Sequence, residues 1–141
     1  MSIAAILSPV FALVALAFGL LVWMGVARWG AVKAGEVRPT GGSTRAIPWP
    51  KKAQAVSDAF HNQLELPQLF YLLVALALIT RAADLMFVLM SWLFVATRYA
   101  HAFVHTGSNE VRLRFPLFLA GAVILIAMWL LFALRVYLLS A

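Results

Sequence analysis

The 141-residue sequence contains no cysteine, five acidic residues, and a charged fraction of only 11%. Soluble domains carry about 25% charged residues. Without cysteine there are no disulfides, no thiolate metal sites and no cysteine nucleophile. Any thiol chemistry must therefore use a thiol brought by a substrate. The scarcity of charge, beside 65% hydrophobic residues, excludes an ordinary cytosolic enzyme and a disordered tail. There is no internal repeat or low-complexity tract. The length allows one domain, 1–141, with no room for a separate soluble module. A mean hydropathy of +0.96 identifies an integral membrane protein.

A spanning helix needs about 20 mostly apolar residues. The first such run, Ile3 to Ala27, contains no charge, lacks a basic leader and is too long for a signal-peptide core, so it reads as retained. The others run from about Ala53 to Thr80, Leu85 to His105, and Pro116 to Leu139. β-Barrel alternation is absent, so the fold class is all-α, a four-helix membrane bundle.

The long polar stretch 28–52 contains Gly35, Pro39, Gly41, Gly42, Pro48 and Pro50, and reads as a loop. It carries Arg28, Lys33, Arg38, Arg45, Lys51 and Lys52, and the third connection adds Arg112 and Arg114. With four spans these two connections share one side. The opposite side has Arg81 and, near its span's end, Arg135. The positive-inside rule then makes loops one and three cytoplasmic, with both termini outside. It also explains the net charge of +6 better than a nucleic-acid partner does; no nucleic-acid module is present.

An ionisable residue inside a span costs roughly 2.5–3.5 kcal/mol on insertion scales, so it should face a bundle interior or a subunit interface. Span two carries Asp58, His61, Asn62 and Glu65; the steps from Asp58 to Asn62 to Glu65 are four and three, one helical face. Span three carries Arg98, His101 and His105 at steps of three and four, a second stripe. Chain direction puts both stripes in the cytoplasmic half. Arg112 and Arg114 stand on the same side, before Pro116 in the first turn of span four. Proline suits a first turn, and helix N-termini attract anions.

This set admits bland readings too. Glu65 and Arg98 can simply hold two helices together, and Arg112 and Arg114 can serve only as topology determinants. Asp58 can cap the second helix if that helix starts later. His101 and His105 are spaced to share a metal, although no tighter motif such as HExxH accompanies them. Trp23, Trp29, Trp92 and Trp129 read as packing or interface anchors.

The run Phe60-His61-Asn62-Gln63-Leu64-Glu65-Leu66-Pro67-Gln68-Leu69-Phe70 resembles the second-helix signature of the MAPEG family, the membrane-associated proteins in eicosanoid and glutathione metabolism. The runs Arg98-Tyr99-Ala100-His101, Thr106-Gly107-Ser108-Asn109 and Arg112-Leu113-Arg114-Phe115-Pro116 resemble its third-helix and loop signature. The resemblance covers roughly residues 53 to 138. It implies a bacterial-type member in the inner (plasma) membrane, assembled as a homotrimer that binds glutathione as co-substrate between subunits near the cytoplasmic surface. By the same resemblance Asn62 and Glu65 hold the glutathione peptide, and His101, His105, Arg98 and Arg28 occupy polar binding positions. Arg114 matches the arginine that steadies the thiolate, the catalytic position. No metal is implied.

Three residues differ from the family pattern. Asp58 stands where many members have an arginine for a glutathione carboxylate, and its own carboxylate repels an anionic tripeptide unless protonated or paired with Arg98. His105 stands at a common tyrosine position and still offers hydrogen bonds. Phe115 replaces a serine found in some members. The sequence thus supports a glutathione-dependent transferase or peroxidase acting on hydrophobic electrophiles or lipid peroxides, with membrane lipids around it. A non-catalytic MAPEG-fold protein binding a lipid, another amphiphile or a protein partner is the alternative. A small transporter using Glu65, Arg98 and His101 as a polar pathway is a third.

Overall fold

The computed structural model describes residues 1–38, 43 and 47–140 of the chain; Pro39, Gly41, Gly42 and Arg45 of the first loop lie outside the described residues. The described helices are α1 (Ile3–Lys33), α2 (Lys51–Asn62), α3 (Leu66–Ile79), α4 (Leu85–Thr106) and α5 (Val111–Ser140). Helices α2 and α3 follow one another through a single span. By length and hydropathy the described residues therefore form four membrane crossings.

Each helix boundary has a local cause. Ser2 caps α1, its hydroxyl accepting from Ala5 N at 3.2 Å. The helix runs six residues beyond the expected Ala27, because its stop signal is Gly35 and not the first charge. Gly35, at φ +72°, donates to Val32 O, and Glu36 donates to Ala31 O, the double bond of a glycine-terminated helix. At 31 residues α1 is ~46 Å long, well beyond the ~30 Å hydrocarbon core, so Arg28 and Lys33 ride on helix outside it.

The second span is broken where sequence periodicity runs on. Pro67 has no N–H for the Gln63 carbonyl, and its ring clashes with that turn. Helix α2 therefore ends at Asn62, a turn covers 63–65, and α3 restarts with Pro67 in its first turn. The expected single face through Asp58, Asn62 and Glu65 is thereby cut, since Glu65 sits in the turn and is exposed.

The start of the last span also differs from expectation. The turn before it places Asn109 at φ +55°, and Glu110 O accepts from Leu113 N and Arg114 N. Helix α5 therefore begins at Val111, five residues ahead of Pro116. Pro116 lies inside the helix, past the four N–H groups that lack partners anyway, so one helical bond is lost there.

The four crossings meet around Leu13, Phe70, Leu73, Phe94, Leu125 and Met128, all at most 2% exposed. Phe70 and Phe94 stack at 5.0 Å between ring centres. In lipid, such packing acts through van der Waals contact and not through water exclusion. Polar clasps add direction to it: Tyr99 Oη donates to Ala12 O at 2.9 Å, tying α4 to α1. Large apolar side chains such as Phe11, Phe18, Phe103 and Leu130 point outward, as a lipid-facing surface requires.

Candidate functional site

The C-terminal ends of α1 and α4 and the N-terminal ends of α2 and α5 lie at one end of the bundle, and most of the scarce polar side chains gather there. The centre is a contact between α2 and α4. Asn62 Nδ2 donates to His105 Nδ1 at 3.2 Å. In that arrangement the His105 proton sits on Nε2, a buried atom with no partner. One turn earlier on α4, His101 meets His105 edge to face, ring centres 5.6 Å apart. His101 is 3% and His105 1% exposed, and His101 Nδ1 also lacks a partner. Among the described residues no third ligand joins them in a metal-binding group.

Arg98 lies one further turn into the bundle and is fully buried. Its Nη2 donates to Leu117 O at 3.1 Å and to Phe118 O at 3.3 Å on α5. The guanidinium also lies against the rings of Phe94 and Phe118, at 5.5 and 5.4 Å. It approaches α5 at Gly121, where a β-carbon would overlap it. Arg98 therefore joins α4 to α5 and does not line an open surface. It makes no ion pair with Glu65; the ion pair among the described residues is Asp84–Arg135, at the other end of the bundle.

Arg114, in the first turn of α5, is half-buried. Its Nη1 donates to Asn109 Oδ1 at 2.6 Å, while Nε is buried without a partner. The α5 N-terminus adds its own positive potential there. Arg28, near the end of α1, donates to Ser57 Oγ at 2.8 Å and lies 5.0 Å from the Trp49 ring centre. Ser57 O in turn accepts from His61 Nδ1 at 2.7 Å. Asp58 faces out and accepts from Gln54 Nε2 at 2.6 Å, so no partner arginine neutralises it.

The structure thus brings Asn62, His105 and His101 into contact, sets Arg114 and Arg28 at the same end, encloses Arg98 and leaves Glu65 exposed. It also reveals Ser57, the anchor for Arg28, and Gln63. Gln63 is 2% exposed with neither amide atom bonded. A serine and a glutamine carry no charge and follow no helical stripe. Only the break at Pro67 explains why Gln63 turns inward beside Asn62.

No curated protein and no solved structure matches the chain. The model of the MAPEG family matches residues 6–134, from the first buried turn of α1 to the last turns of α5 and through every residue of the site just described, and the chain belongs to the MAPEG family.

Proposed function

We propose that the chain is a glutathione-dependent transferase or peroxidase for hydrophobic electrophiles or lipid peroxides, working as a homotrimer in an inner (plasma) membrane with loops one and three cytoplasmic. The observation that carries this reading is the cationic end of the bundle: Arg114 with an unpartnered buried Nε, beside the Asn62–His105 pair. Glutathione is an anionic tripeptide, and its donors and acceptors fit this set. Arg28, Arg114 and the α5 N-terminus offer positive charge, while Asn62 and the His105 Nε2 offer neutral hydrogen bonds.

When bound, glutathione supplies the sulfur nucleophile that a chain without cysteine cannot. A free thiol near pKa 8.5 is mostly protonated at neutral pH. The Arg114 guanidinium, held by Asn109, stabilises the thiolate in preference to the thiol. Asn62, Glu65 and His101 orient the peptide, with Arg98 setting the height of α4 against α5 from inside. Asp58, without a neutralising arginine, disfavours a carboxylate on its side and so restricts how the tripeptide lies.

Titration of glutathione against thermal unfolding of the detergent-solubilised protein tests the reading. A ligand at 100 times its dissociation constant adds about 2.7 kcal/mol of stability. Absence of any shift at millimolar glutathione refutes the proposal. If a shift is present, Arg114→Ala should reduce conjugation or peroxide turnover more than it reduces binding; equal turnover removes Arg114 from its role. The non-catalytic alternative draws on the enclosure of Arg98, His101 and His105, each at most 3% exposed. It requires stabilisation by an amphiphile without glutathione turnover.

A further inference from the structure

At the end of the bundle opposite the candidate site, α4 and α5 line a cavity of about 600 Å³. This volume falls in the range of small-molecule sites. Its walls are apolar, formed by Phe87 and Met90 of α4 and by Met128, Leu131 and Phe132 of α5. The methionines are unbranched and adapt to irregular occupants. The lining on α5 extends from Met128 to Leu138, ten residues or ~15 Å. Inward from Arg135 the lining runs back to Met128, seven residues or ~10 Å, about a third of the ~30 Å hydrocarbon core.

The mouth of this cavity is charged, and its charges are held in place. Asp84 caps α4, with Oδ1 accepting from Phe87 N at 2.9 Å. Its Oδ2 accepts from Arg135 Nη2 at 2.5 Å, and Arg135 Nη1 donates to Ala82 O at 2.5 Å. Both side chains keep an exposed edge, 39% for Arg135 and 45% for Asp84. A fixed cation and a fixed anion thus stand side by side where α4 leaves the membrane, above an apolar slot ~10 Å deep.

We propose that this cavity holds one acyl chain of a zwitterionic phospholipid, its phosphate against Arg135 and its ammonium against Asp84. The charge pattern selects this occupant. A fatty acid or an anionic headgroup would meet Arg135 but also the Asp84 carboxylate, and a neutral lipid would use neither. The site is independent of the glutathione reading, lying at the far end of the same helices.

Native mass spectrometry of the full-length protein in detergent, with phosphatidylethanolamine or phosphatidylglycerol of the same acyl chains, tests the proposal. One phosphatidylethanolamine should be retained per chain, with about tenfold weaker retention of phosphatidylglycerol. Leu131→Trp, which fills the slot, should remove the retained lipid. Met86→Trp, on the α4 wall, serves as the second filling variant if Leu131→Trp lowers thermal stability. Asp84→Asn should retain lipid but lose the headgroup preference. The proposal is overturned by retention that survives both filling variants, by equal retention of the two lipids, or by assemblies that carry no phospholipid because a second copy covers the cavity.

Discussion

Gly121→Ala is the most direct probe of how Arg98 is seated. A β-carbon at position 121 would overlap Arg98 Nη2 and lie 2.8 Å from Thr97 Oγ1 and 2.9 Å from Arg98 Cζ. The guanidinium cannot slide aside freely, because Phe94 and Phe118 flank it. Moving it also breaks the bonds of Nη2 to Leu117 O and Phe118 O. Overpacking costs about 1–3 kcal/mol, and a hydrogen bond to a charged group contributes about 1.5–3 kcal/mol; the two overlap, so the expected loss is roughly 2–4 kcal/mol. Gly30→Ala is the matched control: its β-carbon meets nothing within 4 Å, and alanine should gain about 0.5–1 kcal/mol of helix stability there. Equilibrium unfolding in mixed micelles, followed by tryptophan fluorescence, measures both. In the Arg98→Met background most of the Gly121→Ala penalty should vanish, since contacting residues couple by about 0.5–3 kcal/mol. A Gly121→Ala cost below about 0.5 kcal/mol, or a cost unchanged by Arg98→Met, refutes this seating of the buried guanidinium.

Arg81 occupies the left-handed position that ends α3, at φ +55°, with Ala82 N donating to Ala77 O. Left-handed backbone costs an L residue about 1–2 kcal/mol, so Arg81→Gly should raise unfolding stability by about 0.5–1 kcal/mol after glycine's own entropy is counted. A loss of stability would show that the arginine side chain, and not the backbone, governs that turn. The Arg135 guanidinium beside Asp84, with the Phe87 N–H, holds the Asp84 carboxyl below the usual carboxylate range. Because the folded-state value is depressed, the pair contributes fully above about pH 5, and that contribution is lost as the pH falls from the usual carboxylate range down through the lower folded-state value. Asp84→Asn keeps the cap and removes the charge, so it should flatten the acid limb of the stability profile while costing at most about 1 kcal/mol at pH 7. An unchanged acid limb refutes the assignment. Asp84→Ala should cost about 1 kcal/mol more than Asp84→Asn, through the cap, in the same titration.

Membrane character, the number of crossings and the end of the bundle where polar residues collect were all readable from the linear pattern. Each depends on local sums of hydropathy or on the parity of the crossings. Asn62, His101 and His105 were readable as partners because helical spacing and chain direction put them at one depth. The boundaries were less readable. Gly35, and not Arg28, stops α1, because a helix longer than the bilayer carries its charges beyond it. The interruption at Pro67 was present in the sequence but hidden beneath the strong apolar run from Leu66 to Ile79.

By itself the sequence determined that this chain crosses a membrane four times with most of its rare charges at one end, since each apolar run is long enough to span the hydrocarbon core as a helix. Tertiary structure alone decided what each charge does. Arg98 and Glu65 read equally well as a pair, yet one is enclosed against α5 carbonyls and the other stands exposed at a helix break. Asp84 and Arg135, 51 residues apart, became the ion pair. Periodicity relates residues within one helix; which helix faces which, and at what rotation, depends on how Gly121, Phe94 and Phe118 pack, and that is a property of surfaces in contact.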